Sequence, residues 1–209
     1  MFARLLALIL CLSAAIGIAL ETQTVMQNGA AFGTAAWAVA SYFTILTNGL
    51  IVLVFAVLAV RGAGGLHPRL IVGVTAAMIL VGVVFALLLQ GLRPLAGATA
   101  ISDFLLHRLN PVLAAAFWLG FVPKGRLSWR DPLLWALWPL AYLGYALVRG
   151  GAEGRYSYPF IDVAALGAPT VAVNAVVMAA AFVVAGEAMV WIDRRLARAP
   201  EIGARSNAV

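Results

Sequence analysis

Residues 37–60 read WAVASYFTILTNGLIVLVFAVLAV, and Arg61 is the first charge to follow. An α-helix needs ~20 apolar residues to cross ~30 Å of hydrocarbon, and this run is long enough. Five more runs approach the same length, at 5–20, 70–89, 104–122, 132–148 and 168–192. Proline marks several of their edges. Pro68 precedes the third run, Pro94 follows it, and Pro132 stands at the first turn of the fifth, where a missing N–H costs nothing. Pro111 and Pro139 fall inside runs and are expected to bend them.

The expected fold is therefore an all-α integral membrane protein, a six-transmembrane-helix bundle forming one domain over 1–198. A polar, disordered cytoplasmic tail is expected at 199–209. Composition agrees: 64% of residues are hydrophobic, 11% are charged, and mean hydropathy is +1.01. Soluble domains carry about 25% charged residues, so most of this surface must meet lipid. The first run, with Arg4 ahead of it, also has the form of a secretory signal peptide; its length suits a retained span.

Net charge is +6, and its distribution sets the orientation. Arg4, Arg61, Arg69, Lys124, Arg126, Arg130, Arg194, Arg195, Arg198 and Arg205 fall on one side of the expected membrane. Only Arg93, Arg149 and Arg155 fall on the other. Basic loops face the cytoplasm, which places both termini there. Basic clusters at the ends of apolar runs point to anionic headgroups and not to nucleic acid. Thirteen arginines against one lysine fit a GC-rich bacterial genome, hence a bacterial inner membrane. The one cysteine, Cys11, lies within an apolar run and reads as a small buried residue.

Polar groups within spans are costly, so they point to function. Thr44, Thr47 and Asn48 share a helix face by their spacing. Gln90 ends the third span, and the fourth begins with Asp103 and carries His107, Arg108 and Asn110. Asn174 and Glu187 lie in the sixth. With six spans, Thr44, Gln90, His107, Asn110 and Asn174 share the outer half of the membrane. A loop at 149–167 with Tyr156, Tyr158 and Asp162 caps them. Glu187 falls in the inner half. Structural roles compete: the threonines can bond their own backbone, Asn48 and Asn174 can join helices, and Arg108 can snorkel.

Only one histidine lies within a span, which excludes a two-histidine haem clamp or a multi-histidine metal site in one chain. No metal or other cofactor is expected. No serine sits in a G-x-S-x-G context. A threonine hydroxyl activated by an imidazole is the chemistry this set can run.

The segment Tyr42-Phe43-Thr44-Ile45-Leu46-Thr47-Asn48, the His107 region ending Asn110-Pro111-Val112-Leu113, the stretch from Pro123 to Asp131, and Tyr158-Pro159-Phe160-Ile161-Asp162 carry a resemblance. Together they resemble bacterial six-span relatives of the family of androgen-induced gene 1 and the androgen-dependent TFPI-regulating protein. The animal members hydrolyse fatty-acid esters of hydroxy fatty acids with an intramembrane threonine and histidine. The resemblance implies Thr44 as nucleophile, with Thr47 as the fallback, and His107 as general base. Around the histidine this chain reads Leu105-Leu106-His107-Arg108-Leu109-Asn110, where the family has a pair of histidines.

On that reading Asn48, Gln90 or Asn110 donates to the oxyanion, and Arg108 or Arg149 holds a substrate carboxylate. Tyr158, Asp162 and Asn174 complete the candidate binding residues. The expected partners are a lipid or fatty-acid ester and the bilayer. The competing reading is a non-catalytic lipid carrier or assembly factor whose polar residues only organise the bundle. A transporter is disfavoured, because no inverted repeat and no matched pair of broken helices is visible.

Overall fold

The computed structural model describes residues 1–92 and 95–197. Arg93, Pro94, Arg198, Arg205 and the tail at 199–209 lie outside the described residues. Within them the chain is helical, with no strand. The helices are α1 Phe2–Gln27, α2 Phe32–Val39, α3 Phe43–Arg61, α4 Pro68–Val84, α5 Ala98–Phe104, α6 Asn110–Phe121, α7 Asp131–Trp135, α8 Leu137–Glu153, α9 Val163–Leu166 and α10 Ala168–Ala197. A π-helical turn, Phe85–Leu89, extends α4, and another, Leu105–Leu109, joins α5 to α6.

Five helices are long and apolar enough to cross a membrane: Phe2–Gln27, Phe43–Arg61, Pro68–Leu89, Ala98–Phe121 and Ala168–Ala197. Many of their large apolar side chains point outward, among them Leu53, Leu87, Val112, Val176 and Val184. This is a multi-pass membrane architecture, with lipid as the outer solvent. The core gathers around α1, α3, α4 and α6, where Leu10, Ile51, Phe55, Ile71, Met78 and Phe117 are fully buried.

Two expected spans differ from the structure. The fifth run, 132–148, is not one helix: it divides at Ala136 into α7 and α8. Pro139 accounts for the division, since it offers no N–H to the carbonyl of Trp135 and its ring crowds that group. Second, the run at 37–60 breaks at 40–42, and Tyr42 is extended (φ −96°, ψ 132°).

The cause of this second break is capture of backbone carbonyls. In an unbroken helix the Ala40 and Ser41 carbonyls would accept from residues 44 and 45. Here Tyr145 Oη donates to Ala40 O (3.1 Å), while Tyr142 Oη and Ser157 Oγ both donate to Ser41 O (2.8 Å each). The helix restarts at Phe43, and Thr44 becomes a first-turn residue of α3.

A buried polar chain ties three helices below this break. Ser13 Oγ donates to Asn110 Oδ1 (2.6 Å), Asn110 Nδ2 to Asn48 Oδ1 (2.7 Å), and Asn48 Nδ2 to Thr44 O (2.9 Å). Each member is buried and satisfied within the set, as a low-dielectric interior requires.

The opposite end is held by the loop from Val122 to Arg130. Lys124 Nζ donates to the Trp118 and Val122 carbonyls (2.6 Å each) at the negative end of α6. Gly125 N, in a left-handed turn (φ 75°), donates to Asp193 Oδ2 at 2.7 Å. Buried Asp131 pairs with Arg69 (3.2 Å) and accepts from Ser128 N (2.8 Å). The short Pro123–Asp131 stretch thus joins α4, α6, α7 and α10.

Replacing both Tyr142 by Phe and Ser157 by Ala leaves the Ser41 carbonyl without these two donors. The expected loss of stability is about 1–3 kcal/mol, the usual cost of a buried unsatisfied group. Thermal unfolding in detergent reads the loss, and hydrogen exchange at residues 41–45 should quicken. Unchanged exchange there would mean that the break does not depend on these hydroxyls.

Candidate functional site

Thr44 is presented by the restart of α3, so its side chain projects from the first turn with the positive end of the helix dipole behind it. His107 is presented by the π-helical turn Leu105–Leu109, ahead of Pro111. Pro111 has no N–H for the His107 carbonyl, so the local hydrogen-bond pattern must loosen there. Gly82 of α4 packs closely against this turn. A Cβ at Gly82 would lie 3.0 Å from Pro111 Cβ and 3.4 Å from His107 O. Such turns recur at functional sites because they re-aim one side chain without breaking the helix.

The two side chains meet. Thr44 Oγ1 lies 3.2 Å from His107 Nε2. On the other side of the ring, Asp103 Oδ1 lies 3.3 Å from Nδ1, within ion-pairing reach. Asp103 is 3% exposed. Phe85, from the other π-helical turn, stacks on the imidazole with ring centroids 4.3 Å apart and planes at 17°. The imidazole thus has a hydroxyl at one nitrogen, a carboxylate at the other and an aromatic ring against its face. A carboxylate at Nδ1 favours the tautomer that leaves Nε2 free to accept a proton.

The pair opens on a cavity of about 390 Å³ lined by Thr44, His107, Asp103, Phe85, Tyr42 and Tyr158, with Glu21 and Arg155 also on its wall. Tyr158 arrives from the loop after α8. Its hydroxyl accepts from Thr44 N at 3.5 Å, and burial raises the phenol above its ordinary pKa, so it stays protonated. The Tyr158 hydroxyl also hydrogen-bonds the Thr44 side chain.

The remaining candidates are placed differently from expectation. Thr47 is fully buried and accepts from Trp138 Nε1 (3.1 Å), which directs it to α8 and away from His107. Asn48 and Asn110 spend their amides on each other, on Thr44 O and on Ser13, so they hold the bundle and do not reach the cavity. Gln90 is exposed and lines no described cavity.

Arg108 is exposed over Phe85, with its guanidinium 5.6 Å from the ring centroid. Arg149 is engaged by Glu153 (2.8 Å) and Tyr145 (2.7 Å) and covers Trp37 at 4.1 Å, outside the larger cavity. Asp162 accepts from Ala165 N and caps α9, and Asn174 donates to Phe160 O. These last two fasten the loop that carries Tyr158. Glu187 lies on α10, and its buried Oε2 has no hydrogen-bond partner among the described residues.

Asp103 is the residue that sequence reasoning did not assign to the site. Its signal was present: it stands four residues before His107, and the i, i+4 spacing puts both on one helix face. Arg155 was likewise counted only for orientation, yet it lies on the cavity wall. No group of three His, Cys, Asp or Glu side chains gathers as a metal site among the described residues. No known protein family, curated sequence or solved structure matches the chain.

The Thr44–His107 contact can be tested by thiol reactivity. In a Cys11→Ala background, the Thr44→Cys thiol should react with a small apolar maleimide at least about tenfold faster than the same thiol with His107→Ala, because the imidazole withdraws its proton. Equal rates would show that the two groups do not interact.

Proposed function

We propose that this chain is an intramembrane lipid-ester hydrolase with Thr44 as nucleophile and His107 as general base. The observation that carries the reading is the 3.2 Å approach of Thr44 Oγ1 to His107 Nε2 at a cavity wall, with Asp103 behind the ring. A buried carboxylate inside a membrane span is costly and calls for a role. Orienting the imidazole and stabilising its protonated form is such a role. The resemblance of the Thr44, His107 and Tyr158 segments to the androgen-induced gene 1 and androgen-dependent TFPI-regulating protein family adds to the reading. It points to esters of hydroxy fatty acids or related lipids as substrates.

The chemistry runs in two halves. Thr44 Oγ attacks the ester carbonyl carbon while His107 Nε2 takes its proton. The carbonyl oxygen becomes an oxyanion beside the Tyr158 O–H, at the positive end of α3. Collapse breaks the bond to the alcohol oxygen, which receives the proton from His107, and an acyl-threonine remains. Water, deprotonated by His107, then attacks the acyl carbon; collapse breaks the bond to Thr44 Oγ, which takes the proton back from His107, and a fatty acid is released. Donors of this kind are worth about 10²–10³ in rate where water is scarce.

The same proposal places the chain in a bacterial inner membrane with six crossings. The bent pair α7 and α8 makes the fifth crossing, and both termini face the cytoplasm. The end bearing Arg4, Arg61, Arg69, Lys124, Arg126 and Arg194 supports that orientation. A green-fluorescent fusion after Val209 should fluoresce, whereas an alkaline phosphatase fusion there should be inactive; the reverse pattern would invert the topology.

Hydrolysis by purified protein of a panel of fatty esters, including branched esters of hydroxy fatty acids, tests the activity. Thr44→Ala and His107→Ala should each lower kcat/KM by at least about 100-fold, and Asp103→Asn by at least about tenfold. Loss with His107→Ala alone would move the attack to a water activated by His107. No hydrolysis by folded wild type would leave the non-catalytic lipid-binding role.

A further inference from the structure

Thr44 borders two cavities. Besides the one containing His107, a smaller cavity of about 90 Å³ lies between α3, α4, α8 and α10. Thr44, Leu89 and Tyr158 line both and form the boundary between them. Their linings differ in kind. The larger cavity carries Glu21, Asp103, His107 and Arg155. Apart from Thr44, the smaller is lined by hydrocarbon and aromatic groups, including Leu80, Val84, Leu143, Met178, Ala179 and Phe182. One of its tyrosines, Tyr142, has its hydroxyl committed to Ser41 O.

An ester bound with its carbonyl at Thr44 must send its two arms in different directions. An acyl chain gains by leaving water, and it gains most beside apolar walls without buried polar groups. The alcohol side leaves as a hydroxyl-bearing product and needs the polar cavity, where His107 protonates it. Resting on the hydrolase reading for the carbonyl's position, we infer that the smaller cavity is the acyl-chain subsite, and that Ala175 and Ala179 of α10 set how long a linear chain it accepts.

These two alanines stand four residues apart on one helix face and leave room at the wall. A benzyl group at either position would fill space that the distal methylenes of a long chain require. Helix α10 is little buried in the protein, so chains could enter sideways between it and its neighbours from the lipid.

Two measurements test the assignment. The first compares hydrolysis of butyrate, octanoate and palmitate esters of one alcohol by wild type and by Ala179→Phe. The variant should lose at least about tenfold of its palmitate-to-butyrate preference, since each displaced methylene is worth about tenfold or more. An unchanged chain-length profile in an active variant would overturn the subsite and leave the hydrolase reading intact.

The second needs no turnover. Palmitic acid with a mid-chain diazirine is photolysed with wild type and the adducts are mapped by mass spectrometry. Labels at Ala175, Met178 or Ala179 that vanish in Ala179→Phe support the subsite, even if every ester proves inert and the hydrolase reading falls. Labels at Val25, Val39 or Leu106 instead would place the chain in the larger cavity and overturn it. Labels confined to lipid-facing Val176 and Val184, or no labels at all, would also overturn it.

Discussion

Three hydroxyls hold the break that sets the geometry at Thr44. Tyr142, Tyr145 and Ser157 bond the carbonyls of Ala40 and Ser41, where the helix stops and begins again. Without that break Thr44 would sit in mid-helix, its N–H bonded to Ala40 and its surroundings closed by the preceding turn. With the break, Thr44 stands at a helix start, its N–H reaches toward Tyr158, and its hydroxyl faces His107. Two of the three hydroxyls belong to α8 and the third to the loop that carries Tyr158. Packing of the C-terminal half therefore fixes how the N-terminal half presents Thr44.

Around Thr44 the buried polar groups form two systems. On one side, Ser13, Asn110 and Asn48 satisfy one another and end on the Thr44 carbonyl. On the other, Asp103, His107 and the Thr44 hydroxyl form a line at a cavity wall. The first system fixes the backbone that presents the second. In an interior with little water, a hydroxyl held by a satisfied network keeps its position, and pre-organisation of that kind lowers the cost of reaction.

Much of this was legible in the sequence. Long apolar runs identify spanning helices because no other solvent fits them, and five of the six are long helices here. The fifth run was readable as apolar and as bent by Pro139, but not as two helices divided at Ala136. The break at 40–42 left no mark at all: Ala40, Ser41 and Tyr42 suit a helix, and the competing donors come from residues more than a hundred positions away. Thr44 and His107 stood out as costly polar groups. Asn48 and Asn110 stood out for the same reason but satisfy each other, and distinguishing a network from a site requires knowing which helices touch.

A threonine nucleophile must carry the acyl group during turnover. The direct measurement is to mix the purified protein with excess fatty ester, quench in acid within the turnover time, and map acyl adducts by mass spectrometry. An acyl mass is expected on the peptide containing Thr44, and none in Thr44→Ala. An acyl adduct on any other residue, or turnover with no adduct under conditions that trap a known acyl-enzyme, would contradict it.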